Sequence, residues 1–198
     1  MEERIRQLFG FDIESKIAMV DELSIPIAKA GQCLVDALLS DGKILIGAYG
    51  ASYANGVHFS TALQHRFDVE RPALPVIDLM GQPALVTAAI QDGHADHLLA
   101  RQILTLGSPQ DILVLITTSS QSKSLIYSLE SAHERGIAVI LLTGQADDAL
   151  ATHLNPKDVV IPIPRNHPAR IREMHLFVLH CFCDLIERAL FGHEGDAI

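Results

Sequence analysis

The stretch Lys43-Ile-Leu-Ile-Gly-Ala-Tyr-Gly-Ala-Ser52 decides how the rest of the chain is read. An apolar run of strand length follows the turn pair Asp41-Gly42, then gives way to small residues and to a segment of helical spacing. A run with no polar alternation has no solvent face, which predicts a strand buried on both sides. Runs of the same kind recur over 74–79, 111–116, 138–143 and 159–163. Between them, apolar residues fall at helical spacing over 54–67, over 83–106 with breaks, over 123–135 and more weakly over 147–154. Strands separated by helices call for an α/β, doubly wound, five-stranded parallel sheet covered on both faces, a three-layer sandwich.

The two ends of the chain add helix to this unit. Over 2–39 apolar positions recur at Ile5, Leu8, Phe9, Ile13, Ile17, Val20, Ile27, Leu34 and Leu38. Pro26 lies inside that stretch and predicts two helices, with Ser24 as the N-cap of the second. The stretch 168–191 is also helical, and its apolar residues occupy more than one face, so it is expected to pack against a second surface. The chain thus divides into an N-terminal helical arm, 1–39, packing in an oligomer, and a domain over 40–198 that includes a C-terminal interface helix.

Composition narrows the functions. Hydrophobic residues are 48% of the 198, ample for a core, so neither a disordered chain nor a disulfide scaffold is expected. A net charge of −9 argues against wrapping DNA or coating an acidic membrane. Aromatic residues are 5% with no Trp, too few for base-stacking platforms. Cys33, Cys181 and Cys183 are sparse and odd in number, which fits a reducing compartment. Two residues apart on a helix, Cys181 and Cys183 point roughly 200° from each other and do not chelate one metal. The first residues carry charges where a signal peptide needs an apolar core, and no apolar run reaches membrane-spanning length, so a cytoplasmic protein is expected.

Chemistry is expected where strands end and helices begin, because free backbone N–H groups and positive helix ends meet there. After the first strand, Gly47-Ala-Tyr-Gly-Ala-Ser52 permits a tight turn, and Ser52 stands where a helix starts, either as an ordinary N-cap or as a ligand donor. After the third, Thr117-Thr-Ser-Ser-Gln-Ser122 is denser in hydroxyls than a cap requires and predicts a phosphate-sized anion site. Neither a G-x-x-x-x-G-K-[ST] nor a G-x-G-x-x-G pattern occurs at these turns, which argues against nucleotide hydrolysis and dinucleotide binding. The polar cluster Gln91-Asp-Gly-His-Ala-Asp-His97 reads as a solvated loop.

The hydroxyl loop, the turn ending in Ser52 and the pair His58-Phe59 resemble the SIS (sugar isomerase) domain family. Arg66-Phe67, Glu70-Arg-Pro-Ala-Leu-Pro75, Ala169-Arg-Ile-Arg-Glu-Met-His175 and Cys181-Phe-Cys-Asp-Leu-Ile186 resemble its phosphoheptose isomerase and DiaA branch. The resemblance covers nearly the whole chain. It implies a flavodoxin-like SIS fold, a homotetramer, and phosphosugar binding by Ser52, Asp92, Thr117, Thr118, Ser119 and Ser122.

Two functions share that scaffold: isomerisation of sedoheptulose 7-phosphate to a heptose phosphate, and binding of the replication initiator DnaA. In isomerases of the branch a glutamate and a histidine move the proton, and many hold zinc between a histidine, that glutamate, a glutamine and the second histidine. The histidines match His58 and His180. The glutamate position is Ala62, and the glutamine position is Arg172. A methyl takes no proton and a guanidinium repels a cation, so the resemblance leaves His58 and His180 as remnants of a zinc site, with no cofactor and no metal expected. Tyr49 stands where the resemblance brings the sugar close, in place of an Asn. The closer resemblance is to DiaA. It implies a non-catalytic protein that promotes DnaA assembly at the origin, with Leu190 and Phe191 as the partner contact. The alternatives are an active phosphoheptose isomerase, in which His180 is the catalytic residue, and a phosphosugar sensor.

Overall fold

In the computed structural model, which describes residues 1–145 and 148–192, the strands form at Ile44–Ala48 (β1), Val76–Asp78 (β2), Ile112–Ile116 (β3), Ala138–Thr143 (β4) and Val159–Pro162 (β5). They pair in parallel in the order β2-β1-β3-β4-β5, the doubly wound arrangement expected from the alternating pattern. The helices are α1 (Glu2–Leu39), α2 (Tyr53–Gln64), α3 (Pro83–Gln91), α4 (Leu98–Leu106), α5 (Lys123–Glu134), α6 (Asp148–Ala151) and α7 (Pro168–Phe191). Asp147, the first residue of the helix expected over 147–154, lies outside the described residues.

Side-chain alternation along each strand divides the core into two layers. Ile44, Ile46, Ile112, Val114 and Ile140 pack toward α1, α2 and α7, against Leu34, Phe59, Leu63, Val178 and Phe182. Leu45, Leu113, Leu115, Val139 and Leu141 pack toward α4 and α5, against Leu99, Ile103, Leu125 and Leu129. Each such side chain, once fully buried, contributes about 1.5–3 kcal/mol before conformational entropy is counted. This explains why polar residues in the strands stand only at carboxyl ends, Asp78 in β2 and Thr143 in β4.

α1 corrects one expectation. It runs unbroken through Pro26, where two helices were expected. Proline removes one backbone N–H, yet Met19, Leu23, Ile27, Ala30 and Leu34 continue one buried stripe on both sides of it. That stripe packs on α7 and the sheet of the same chain, and its burial outweighs the single lost hydrogen bond. The two helices pack closely at Gly31, where an added Cβ would stand 2.6 Å from Leu185 Cδ1. Further toward the N-terminus Ile5, Phe9, Ile13 and Ile17 are exposed, and α3 buries none of its residues. Among the described residues no helix is long and apolar enough to cross a membrane.

The strand order fixes where a ligand is to be sought. β1 leads into α2 on one face of the sheet and β3 into α5 on the other, so the chain leaves these adjacent strands in opposite directions. A crevice opens at such a switch point, at the carboxyl ends of the strands.

Candidate active site

Two loops flank that crevice, residues 49–52 after β1 and 117–122 after β3. Ser52 is 1% exposed and makes no capping hydrogen bond, so the ordinary N-cap role does not apply. Its Oγ is buried without a hydrogen-bond partner. A buried hydroxyl left unpaired costs about 1–3 kcal/mol, a cost that a ligand oxygen at the start of α2 would remove. The second loop is partly folded on itself. Thr117 Oγ1 donates to Ser119 O at 2.9 Å and accepts from Ser119 N–H at 3.1 Å. Thr117 is buried, Thr118 and Ser122 are half-buried and Ser119 is exposed. Ser122 precedes α5 without a side-chain capping bond.

Tyr49 does not stand over the crevice as the resemblance suggested. Its phenol reaches into α5, donating to Ser124 O at 3.0 Å and bonding Ser128 Oγ at 2.8 Å. The ring joins the core layer of α4 and α5, and burial pushes its pKa upward.

From Ser52 a seam runs between α2 and α7. Asn55 Nδ2 donates to Arg172 O at 2.9 Å. Next, His58 Nε2 and His180 Nε2 lie 2.9 Å apart, with ring centroids at 5.0 Å. One of these nitrogens carries the shared proton and the other accepts it. Phe67 covers His180 with ring centroids 5.4 Å apart. Burial, and then the nearby His58, lower the pKa of His180, favouring neutral imidazole. Ala62, one turn after His58, is buried, and its carbonyl accepts from Arg71 Nη2 at 2.9 Å.

Zinc does not fit this donor set. The Nε2 atoms of His58 and His180 converge, but Ala62 offers only a methyl one turn after His58, and the guanidinium of Arg172 is no zinc ligand. Among the described residues no three His, Cys, Asp or Glu side chains gather to hold a metal.

The remaining candidates fall elsewhere. Asp92 is exposed at the end of α3 and lines a cavity of about 460 Å³ with His94, Arg101 and Gln102, apart from Ser52 and the hydroxyl loop. From the same polar cluster it is Asp96 that reaches the loop's helix, accepting from Ser124 Oγ at 3.1 Å, while His97 stacks on Tyr127 at 4.2 Å. Leu190 packs against the core, which leaves little of it to offer a partner, and Phe191 lies under the Arg71 guanidinium at 5.7 Å. Glu187 stands in none of the motifs read from the sequence. This carboxylate is 1% exposed and accepts from the backbone N–H of Phe67, Asp68 and Val69 and from Arg71 Nε. Its one sequence signal is position: it follows His180 by seven residues, on the same stripe of α7.

Comparison with known proteins joins these observations. The family model described as SIS domain matches residues 12–144. The chain is 42% identical over 193 residues to the phosphoheptose isomerase of Halorhodospira halophila, covering 98% of each chain. Among solved structures, a phosphoheptose isomerase from Francisella tularensis superposes with a TM-score of 0.88 at 35% identity, covering 94% of this chain and 97% of the other. The phosphoheptose isomerase GmhA from Neisseria gonorrhoeae gives 0.85 at 32% identity, covering 93% and 98%. These full-length likenesses overturn the expectation of a DiaA-like protein that binds DnaA. The departures at Ala62 and Arg172 are changes within an isomerase-like chain and do not point to an initiator partner.

Proposed function

Because the chain belongs to the SIS domain family, we propose that it is a phosphosugar isomerase of the phosphoheptose isomerase kind, acting on sedoheptulose 7-phosphate or a close relative. The observation that carries this reading is the meeting of His58 and His180 at 2.9 Å on the seam that begins at the unpartnered Ser52 hydroxyl. His58 comes six positions after Ser52, about 9 Å along a helix, a span suited to a sugar phosphate held at one end and transformed at the other.

In this reading Ser52, Thr118, Ser119 and Ser122 donate to the phosphate, with the N-terminal ends of α2 and α5 adding attraction, while Thr117, whose hydroxyl proton goes to Ser119 O, shapes the loop. Aldose–ketose interconversion moves one proton between neighbouring carbons and another between their oxygens. A neutral His180 takes the carbon-bound proton, and an enediol forms as the carbonyl oxygen is protonated. Return of the proton to the neighbouring carbon, with loss of the hydroxyl proton from the oxygen that becomes the new carbonyl, completes the exchange. His58, hydrogen-bonded to His180, shares the charge while the proton is held. With Ala62 in place of a carboxylate, turnover is expected to lie about 10²–10⁴-fold below that of a relative with a carboxylate base. The exposed apolar residues of α1 and α3 support assembly as a homotetramer.

The test is conversion of sedoheptulose 7-phosphate by the purified protein, beside His180→Ala. Slow, enzyme-dependent turnover abolished by the substitution is the expected result. Ala62 also favours a second reading, a phosphosugar-binding protein without turnover. A saturable thermal shift with sedoheptulose 7-phosphate and no product at any enzyme concentration would select it over the first.

A further inference from the structure

We propose that Glu187 is a positioning residue for His180, acting through the segment 67–71 and the ring of Phe67. The inference deepens the isomerase reading, and its catalytic half rests on that reading. Glu187 Oε1 accepts from Phe67 N–H at 3.1 Å and Arg71 Nε at 2.8 Å. Its Oε2 accepts from Asp68 N–H at 3.1 Å and Val69 N–H at 3.2 Å. Arg71 directs its other donors to the carbonyls of Ala62, Leu63 and Pro72. The segment that leaves α2 is thereby wrapped around one carboxylate, and both its ends are tied to α2 and α7.

Phe67 is the first residue of that wrap. Its side chain is 37% exposed, so burial alone does not fix the ring. Its backbone is held instead, since its own N–H donates to Glu187 Oε1, and this sets where the ring starts from. The ring then closes one side of His180 while His58 closes another. Two turns of α7 separate His180 from Glu187, so one stripe of the helix presents the imidazole and anchors the segment that confines it. The other charged groups near His180 are Asp184 and Arg188 on α7 and Lys16 on α1, which line the adjoining groove.

The test combines imidazole NMR of histidine-labelled protein with steady-state kinetics, for wild type, Glu187→Gln and Phe67→Leu. The His180 resonances are assigned by their loss in His180→Gln. Removing the aromatic ring in Phe67→Leu is expected to shift the His180 ring resonances, and Glu187→Gln to shift them the same way, while His133 and His175 stay in place. In both variants kcat on sedoheptulose 7-phosphate is expected to fall about 10- to 100-fold with KM little changed. Folded Glu187→Gln with unmoved His180 resonances would overturn the proposal. Should Glu187→Gln not fold, Phe67→Leu decides alone: unchanged His180 resonances sink the proposal. If wild type shows no turnover, the isomerase reading fails, while the NMR comparison still decides whether Glu187 positions His180.

Discussion

The seam between α2 and α7 has two ends, and they treat buried polar atoms in opposite ways. At the Ser52 end a hydroxyl is sealed from solvent without a partner. At the Glu187 end a carboxylate is equally sealed, yet it receives three backbone N–H groups and a guanidinium. Burial by itself would raise the Glu187 pKa, but the four donors outweigh it and hold the group below its ordinary range. A satisfied buried group stabilises the fold, and an unsatisfied one keeps hydrogen-bonding capacity for something else. The contrast separates a part of the seam whose buried polar groups are satisfied from a part where one buried hydroxyl is not.

The largest effect is expected from Glu187→Ala. It leaves Arg71, 1% exposed at its side chain, as an uncompensated buried charge. Breaking such a pair costs about 3–5 kcal/mol, a loss that urea unfolding followed by circular dichroism resolves readily. A cost under about 1 kcal/mol, the range of exposed pairs, would remove the distinction between the two ends.

His175 supplies the next effect. Its Nε2 donates to Thr143 O at 3.0 Å, while its Nδ1 is buried without a partner. Burial, above all, lowers its pKa to about 4. The unfolded histidine titrates near 6.5, so between these values the unfolded chain binds the extra proton. Stability therefore rises with pH across that window. The contribution is fully present above about 6.5 and is lost by about 4, a swing of about 3 kcal/mol. Glu187 acts in the same direction at lower pH, since its pKa is also depressed. The difference in unfolding free energy between wild type and His175→Gln isolates the histidine. A difference that stays flat from pH 6.5 to 4 would mean that His175 is not buried as described.

How much of this was legible in the sequence follows from what each residue touches. The strands were, because a central strand buries both faces and so reads as an uninterrupted apolar run. The unbroken α1 was not: local rules assign Pro26 a break, and only contacts with α7 pay for its continuity. The hydroxyl loop announced itself by density, whereas the ring of Tyr49 gave no sign that it turns into α5. His58 and His180 lie 122 residues apart, so only the family resemblance paired them. Glu187 stayed hidden because its partners are backbone N–H groups, which every residue but proline carries.

Tyr49→Phe tests a smaller difference. The substitution removes the hydroxyl that bonds Ser124 O and Ser128 Oγ. Ser128 Oγ still donates to Ser124 O at 2.9 Å, so no orphan is created. The expected cost is about 1 kcal/mol, with inorganic phosphate affinity unchanged. A clear rise or fall in that affinity would put the phenol in the ligand crevice after all, and would blur the line between core and site.

Ser52→Ala should change stability least and carry the comparison furthest. Removing a hydroxyl that has no partner takes away a desolvation cost and no hydrogen bond, so unfolding free energy is expected to stay within about 0.5 kcal/mol of wild type or to rise slightly. If the hydroxyl serves a phosphate, binding moves the other way. Losing one hydrogen bond to a charged group costs about 1.5–3 kcal/mol, roughly a 10- to 100-fold weaker dissociation constant for sedoheptulose 7-phosphate by titration calorimetry. Opposite signs for folding and binding from one oxygen atom would identify Ser52 as a ligand donor. Destabilisation with unchanged binding would instead make it a structural group satisfied by a buried water, and the two ends of the seam would then differ only in who supplies the partner.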